Sequence, residues 1–296
     1  MKIIEKLVIK DQTNKTRLSD ISFNNFKYFF SRKSYVKAIK NGEILVNDKR
    51  GSTGDWISND DIIEVLEPKQ SNIKNYRLDI EIVYEDDDLA VVNKPAGIEV
   101  SGNKFKTLEN AIRTKLKPNN NPTGLKIPRP IHRLDYSTSG LIIFGKTSSA
   151  VVDLSKQFQD RVVEKKYHAI VIGKLPETGN IDLPIHGKEA YSSYSSLRYI
   201  PSIHCEWLTL AELTLGTGRT HQLRIHLSEL DFPIVGDTLY GDIETLYKDK
   251  GLFLVSSYIK FTHPVTGKII EINLELPNKF VKYMEREEGL YSRKNS

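Results

Sequence analysis

A polar stretch, Pro68-Lys69-Gln70-Ser71-Asn72-Ile73-Lys74-Asn75, divides this 296-residue chain into two differently patterned regions, so the fold must be built as two bodies. Before it, short basic and aromatic segments alternate with short apolar ones. After it, apolar residues recur with both helical and strand periods, which points to an α/β or α+β body. The expected organisation is a small domain over 1–70, a linker over 71–79, a larger domain over 80–285 and a flexible tail over the polar residues 286–296.

In the first region, Leu18-Ser19-Asp20-Ile21 and Phe26 to Lys40 read as two short helices, the second capped by Ser31 or Ser34 and ended by Asn41-Gly42. Ile44 to Arg50 reads as a strand and turn, and Ile62 to Leu66 as a second strand. Tyr28, Phe29 and Phe30 are read as packing this module's own core. Residues 1–75 carry 14 Lys/Arg and 10 Asp/Glu, +4 of the whole chain's +5. Such a bias suits a module that meets a polyanion.

Several function classes are excluded. Cys205 is the only cysteine, which rules out an internal disulfide or a multi-cysteine zinc site and is read as a packed small hydrophobe. His221 and His226 are five apart, off the i, i+4 spacing of a zinc-protease helix, and no phosphate-cradling or dinucleotide glycine motif occurs. No stretch approaches the about 18 uncharged apolar residues of a membrane span. The start lacks a secretion signal's apolar core, so a cytoplasmic location is expected.

The second region carries its most informative run at His132-Arg133-Leu134-Asp135-Tyr136-Ser137-Thr138-Ser139-Gly140-Leu141: a carboxylate beside a cation, on a Ser/Thr/Gly turn that leads into the apolar strand Leu141-Ile142-Ile143-Phe144. Gly218-Arg219-Thr220-His221-Gln222-Leu223-Arg224-Ile225-His226 opens a helix for which Thr220 suits the N-cap, with Leu223, Leu227 and Leu230 as its apolar stripe. Other readings in this region are a buried strand at Leu89 to Val92, a Thr107-capped helix, a helix from Ser148 to Arg161, and strands over Lys166–Gly173 and Trp207–Leu215.

These two long motifs, with Asn93-Lys94-Pro95-Ala96-Gly97, Tyr167 in its strand, and Gly236-Asp237-Thr238-Leu239-Tyr240-Gly241, resemble the large family of RNA pseudouridine synthases typified by those of large-subunit ribosomal RNA, over roughly residues 80–276. Residues 16–66 resemble the small S-four-type RNA-binding domain. The resemblance implies an α+β fold: a mixed β-sheet catalytic domain with flanking helices, joined to a small α/β module. It departs from the family pattern at Ser101-Gly102 and at Val255-Ser256, neither of which removes a chemical group the reaction needs.

The implied reaction breaks the ribose–N1 bond of uridine, turns the base and rejoins it through carbon. It needs an attacking group, a clamp for the detached ring and a means of extracting the base. The resemblance assigns Asp135 as the nucleophile, on the anomeric carbon or on uracil carbon 6. Arg224 corresponds to its salt-bridging arginine, and Tyr167 to the residue that stacks on the base. Read without the family, Tyr167 is more simply a strand aromatic. Arg133 either fills the gap left by the extracted base or meets phosphate. Arg219 and Lys94 are candidate RNA contacts, as are Arg32, Lys33, Lys37, Lys40, Lys49 and Arg50 of the first region, where each alone is as well read as a solvated charge. His132 is read as packing the loop.

No metal and no small-molecule cofactor is implied. The expected partner is structured RNA, ribosomal RNA favoured and transfer RNA open, met by a monomer. A glycoside hydrolase would need a second carboxylate opposite Asp135, for which Glu164 and Asp237 are the available acids without evident pairing. The serious alternative is an inactive RNA-binding or ribosome-assembly protein, against which stands the joint presence of Asp135, Tyr167 and Arg224.

Overall fold

The computed structural model describes residues 2–10, 14–29, 31–67, 76–117, 124–241 and 250–295, with Lys126 only as backbone. Phe30, the linker stretch 68–75 and Ser296 lie outside them. The chain forms two compact units, Met1–Lys74 and Asn75–Ser296.

In the first unit, β1 (Ile3–Val8), β2 (Thr16–Arg17), α1 (Arg32–Lys40), β3 (Ile44–Val46), β4 (Lys49–Arg50), β5 (Trp56–Ile57) and β6 (Ile62–Leu66) form a four-stranded sheet, β1-β6-β3-β4, and a β2-β5 ribbon. Asn47 and Asp48, both at positive φ, make the tight β3–β4 turn. Ser31 and Ser34 cap α1 reciprocally. Among the described residues of this unit α1 is the only α-helix; Leu18–Asp20 and Phe23–Asn25 are single 3₁₀ turns. Phe26, Phe29 and Tyr35 pack edge-on and stacked beneath α1, while Tyr28 stays exposed against Phe29. Their burial leaves Lys33, Lys37 and Lys40, spaced i, i+4, i+7, on α1's solvent face.

The second unit contains β7 (Glu81–Glu85), β8 (Leu89–Lys94), α2 (Leu108–Ile112), β9 (Gly124–Pro130), β10 (Ser139–Thr147), α3 (Ser148–Gln159), β11 (Glu164–Ile172), β12 (Thr178–Asp182), β13 (Tyr191–Ser202), β14 (Glu206–Leu215), α4 (Gln222–Glu229), β15 (Leu254–Thr262), β16 (Ile269–Asn273) and α5 (Asn278–Asn295). Its sheet is mixed, ordered β12-β13-β14-β11-β15-β10-β8-β7, with β9 on β10 and β16 on β15. Leu89 and Val91 of β8, with Leu141 and Ile143 of β10, enter one core. Ala90, Val92, Ile142 and Phe144 enter another. Strands covered on both faces explain the unbroken apolar runs.

Among the described strands every pairing is antiparallel except β10 with β15, which meet at Ser139–Val255 and Gly140–Ser256. A Cβ on Gly140, at φ +115°, would lie 2.1 Å from the Ser256 carbonyl, so only glycine permits this approach. Further along, β9 takes the edge of β10 and β16 that of β15.

The expected flexible tail is instead helical through Asn295. Phe280, Tyr283, Met284 and Glu287 form one buried stripe of α5, Glu287 accepts a 2.7 Å hydrogen bond from Ser202, and Glu288 pairs with Arg198. Its polar composition belongs to the outward face of an amphipathic helix.

Candidate active site

Asp135 stands on the loop between β9 and β10. The loop closes on itself where Thr138 N–H donates to the Asp135 carbonyl, and it is tied to the Pro95-Ala96-Gly97 turn where Gly97 N–H donates to the Tyr136 carbonyl. Below it Lys94, wholly buried, donates to the carbonyls of Pro95 (3.0 Å) and Tyr136 (3.3 Å). The expectation that Lys94 meets phosphate is therefore corrected: its ammonium is spent on the loop backbone. Burial pulls its pKa down to about 8, against the attraction of the Asp135 charge.

Asp135 opens onto a cleft of about 530 Å³ that is also lined by Arg133, Tyr167, Arg219, His221 and Arg224. Arg161 and Lys165 line it too, so four arginines and a lysine whose pKa burial lowers share the cleft with one carboxylate. A cleft of this charge draws in anions. The six RNA contacts expected in the N-terminal region are exposed, Arg32 with a 2.6 Å ion pair to Asp20.

Tyr167 pairs across β15 with Ser256, the residue that meets Gly140 on its other side, so strand register sets tyrosine and aspartate loop two strands apart. Its side chain is 6% exposed. Burial pushes the phenol up to about 12, the Ser256 hydroxyl opposing and the Asp135 charge adding to the rise. A neutral phenol can stack and donate a hydrogen bond, but it is a weak base at neutral pH.

The structure does not place Arg224 in direct contact with Asp135. Its Nε and Nη2 each lie 2.7 Å from a carboxylate oxygen of Asp237, a buried bidentate pair, and Asp135 acts on it only through its charge. Burial works against the guanidinium's charge, but Asp237 outweighs it and raises the pKa. Asp237 also accepts from the backbone N–H of Leu239 and Tyr240 and is held below the usual carboxylate range: burial opposes this, and Arg224 with those N–H groups prevails. So paired, it cannot be the second acid of a glycosidase.

Thr220 is not the cap of α4. That position is His221, in the left-handed region at φ 57°, and it makes no side-chain cap bond. Gln222, buried, orders the loop instead: it accepts from Thr217 Oγ1 and Arg219 N–H and donates to the Tyr191 carbonyl and Ser192 Oγ. His226 Nε2 must donate to the Leu183 carbonyl, which leaves Nδ1 to accept from Ser192. His132 stacks on Phe158 and accepts from Ile143 N–H; burial, with the Lys165 charge, pulls its pKa down to about 3. His132 is a neutral strut, and His226 is a buried one held from both ring nitrogens. Local motif reading could not assign the pairings of Gln222 with Tyr191, Asp237 with Arg224 or Tyr240 with His221, because those partners are 13 to 31 residues apart.

One cluster among the described residues has metal-ligand spacing, Asp86, Asp88 and His263. His263 Nδ1 accepts from the N–H groups of Val265 and Thr266, so Nε2 carries the proton given to Asp86, and Thr147 donates to Asp88. The imidazole has no lone pair left for a metal. No helix among the described residues is long and apolar enough to cross a membrane.

The model of a family described as RNA pseudouridylate synthase matches residues 88–229. An uncharacterized RNA pseudouridine synthase of Aquifex aeolicus is 31% identical over 95% of this chain and 96% of its own. Ribosomal large subunit pseudouridine synthase D of Neisseria meningitidis is 32% identical over 84% of this chain and 73% of its own. The solved structure of human RNA pseudouridylate synthase domain containing 1 shares the fold, with a TM-score of 0.57 and 24% identity over 70% of this chain and 86% of that one.

Proposed function

Because the chain belongs to the RNA pseudouridine synthase family, isomerases that act on RNA, we propose that it converts uridine to pseudouridine in structured RNA, with Asp135 as the attacking group. The observation that carries this reading is the placement of Asp135 on an open cleft between Tyr167 and the Arg224–Asp237 pair, with cations on the rim. A base turned out of its stack enters the cleft. Tyr167 stacks on its face and Arg224, fixed by Asp237, orients it. Asp135 attacks the anomeric carbon and displaces N1, or adds to uracil carbon 6 before the ribose–N1 bond breaks; the detached base turns, carbon 5 bonds to the anomeric carbon, the aspartate leaves, carbon 5 loses its proton and N1 takes one up. Arg133, exposed next to Asp135, has the planar cation suited to the gap left behind.

Large-subunit ribosomal RNA is the favoured substrate, since relatives such as the Neisseria protein are named for it, and transfer RNA is the second choice. The N-terminal unit acts as the RNA-holding module through Lys33, Lys37 and Lys40, with Arg32, Lys49 and Arg50 at its flanks. The deciding experiment compares Asp135→Asn with the parent on protein-free ribosomal RNA. Pseudouridine formation is abolished and RNA affinity kept; an active Asp135→Asn enzyme overturns the reading.

A further inference from the structure

We infer that His221 is a positioning residue for Asp135, itself aimed by the hydroxyl of Tyr240; this rests on the proposed role of Asp135. Nε2 of His221 lies 3.8 Å from Asp135 Oδ1, and Nδ1 lies 2.9 Å from Tyr240 Oη. A carboxylate only accepts, so the attractive arrangement puts the imidazole proton on Nε2. Nδ1 is then a lone pair, and Tyr240 O–H donates to it. One neutral tautomer satisfies both neighbours.

Three further observations separate this from ordinary packing. His221 occupies the start of α4 in a left-handed conformation that strains a non-glycine residue, yet its side chain does not cap the helix. That backbone instead turns the ring toward the cleft, where it is 25% exposed beside an Asp135 that is 20% exposed. Tyr240 is in turn held from three sides: its N–H donates to Asp237, its carbonyl accepts from Ser228, and the Arg224 guanidinium lies 5.1 Å from its ring centre. Asp237 thus fixes both groups that face Asp135, Arg224 directly and His221 through Tyr240.

At 3.8 Å the imidazole stands just outside hydrogen-bond range of the carboxylate. A shift of about 1 Å on RNA binding closes the contact, as catalytic hydrogen bonds commonly tighten in the substrate complex. The bound carboxylate then keeps one oxygen on His221 and presents the other to the nucleotide.

The test is single-turnover pseudouridine formation alongside RNA affinity for His221→Ala, His221→Gln, Tyr240→Phe and Asp135→Asn. His221→Ala slows the reaction about 10- to 100-fold, the range expected for a lost hydrogen bond to a charged group, with affinity within about twofold of the parent. His221→Gln, which keeps an N–H donor, recovers part of that loss, and Tyr240→Phe is slowed about threefold or more. Parental rates in His221→Ala or Tyr240→Phe, or a loss of affinity as large as the loss of rate, overturn the inference. If Asp135→Asn is inactive while both keep the parental rate, only the positioning role fails; if Asp135→Asn is active, the reading beneath it fails as well.

Discussion

Replacing Asp237 by Asn should be the most damaging near-isosteric change in the catalytic body. The parent side chain is 1% exposed and meets an Arg224 side chain that is 4% exposed, through two contacts of 2.7 Å. Removing one partner leaves a guanidinium charged and buried without compensation, a situation that costs about 3–5 kcal/mol. Against a total stability of about 5–15 kcal/mol, that is a large share. Urea unfolding reads it best in a Trp56→Phe background, so that Trp207 alone reports on the second unit.

The pH dependence supplies the sign. The folded-state pKa of Asp237 lies below its ordinary 3.8, so its contribution is complete above about pH 4 and is lost as pH falls through the lowered folded value. The gap between parent and Asp237→Asn should therefore narrow below pH 4. Adding Arg224→Met to Asp237→Asn should restore part of the loss, since no buried charge remains. A cost under about 1 kcal/mol at pH 7, or the same gap at pH 7 and pH 2.5, would refute the account of a buried, charge-dependent pair.

Two further outcomes are expected. His132 has a folded-state pKa of about 3 against an ordinary 6.5, so the unfolded chain takes up its proton first and stability falls as pH drops from 6.5 toward 3; His132→Gln should flatten that limb of a melting-temperature profile, and an unchanged slope would contradict the buried neutral ring. Changing Lys33, Lys37 and Lys40 together to Gln should weaken RNA binding and reduce the slope of log affinity against log salt by about 2; an unaltered slope would remove that face from the interface.

Local signals were legible where a side chain satisfies its own neighbourhood. Ser31 and Thr107 each cap a helix three residues from the N–H they accept, and β8 and β10 announce themselves as uninterrupted apolar runs. Asp135, Tyr167 and Arg224 could be named from their motifs, and they line one cleft. Hidden from a linear reading were the pairings that organise that cleft: Arg224 with Asp237, His221 with Tyr240, and Lys94 with a carbonyl 42 residues on. Each depends on how strands and loops return to one another. Lysine is also so seldom buried that position 94 reads as surface until the turn beneath Tyr136 is seen. The helix over 278–295 was missed because its four inward residues are outnumbered by charged ones.

The side-by-side run of β10 and β15 is a two-residue weld between two antiparallel halves of the sheet. One half supplies the acidic loop just ahead of Gly140, and the other supplies Tyr167 opposite Ser256. The reach between the proposed attacking group Asp135 and the ring of Tyr167 is therefore set at a junction far smaller than either half it joins, and a one-residue slip there would part the two.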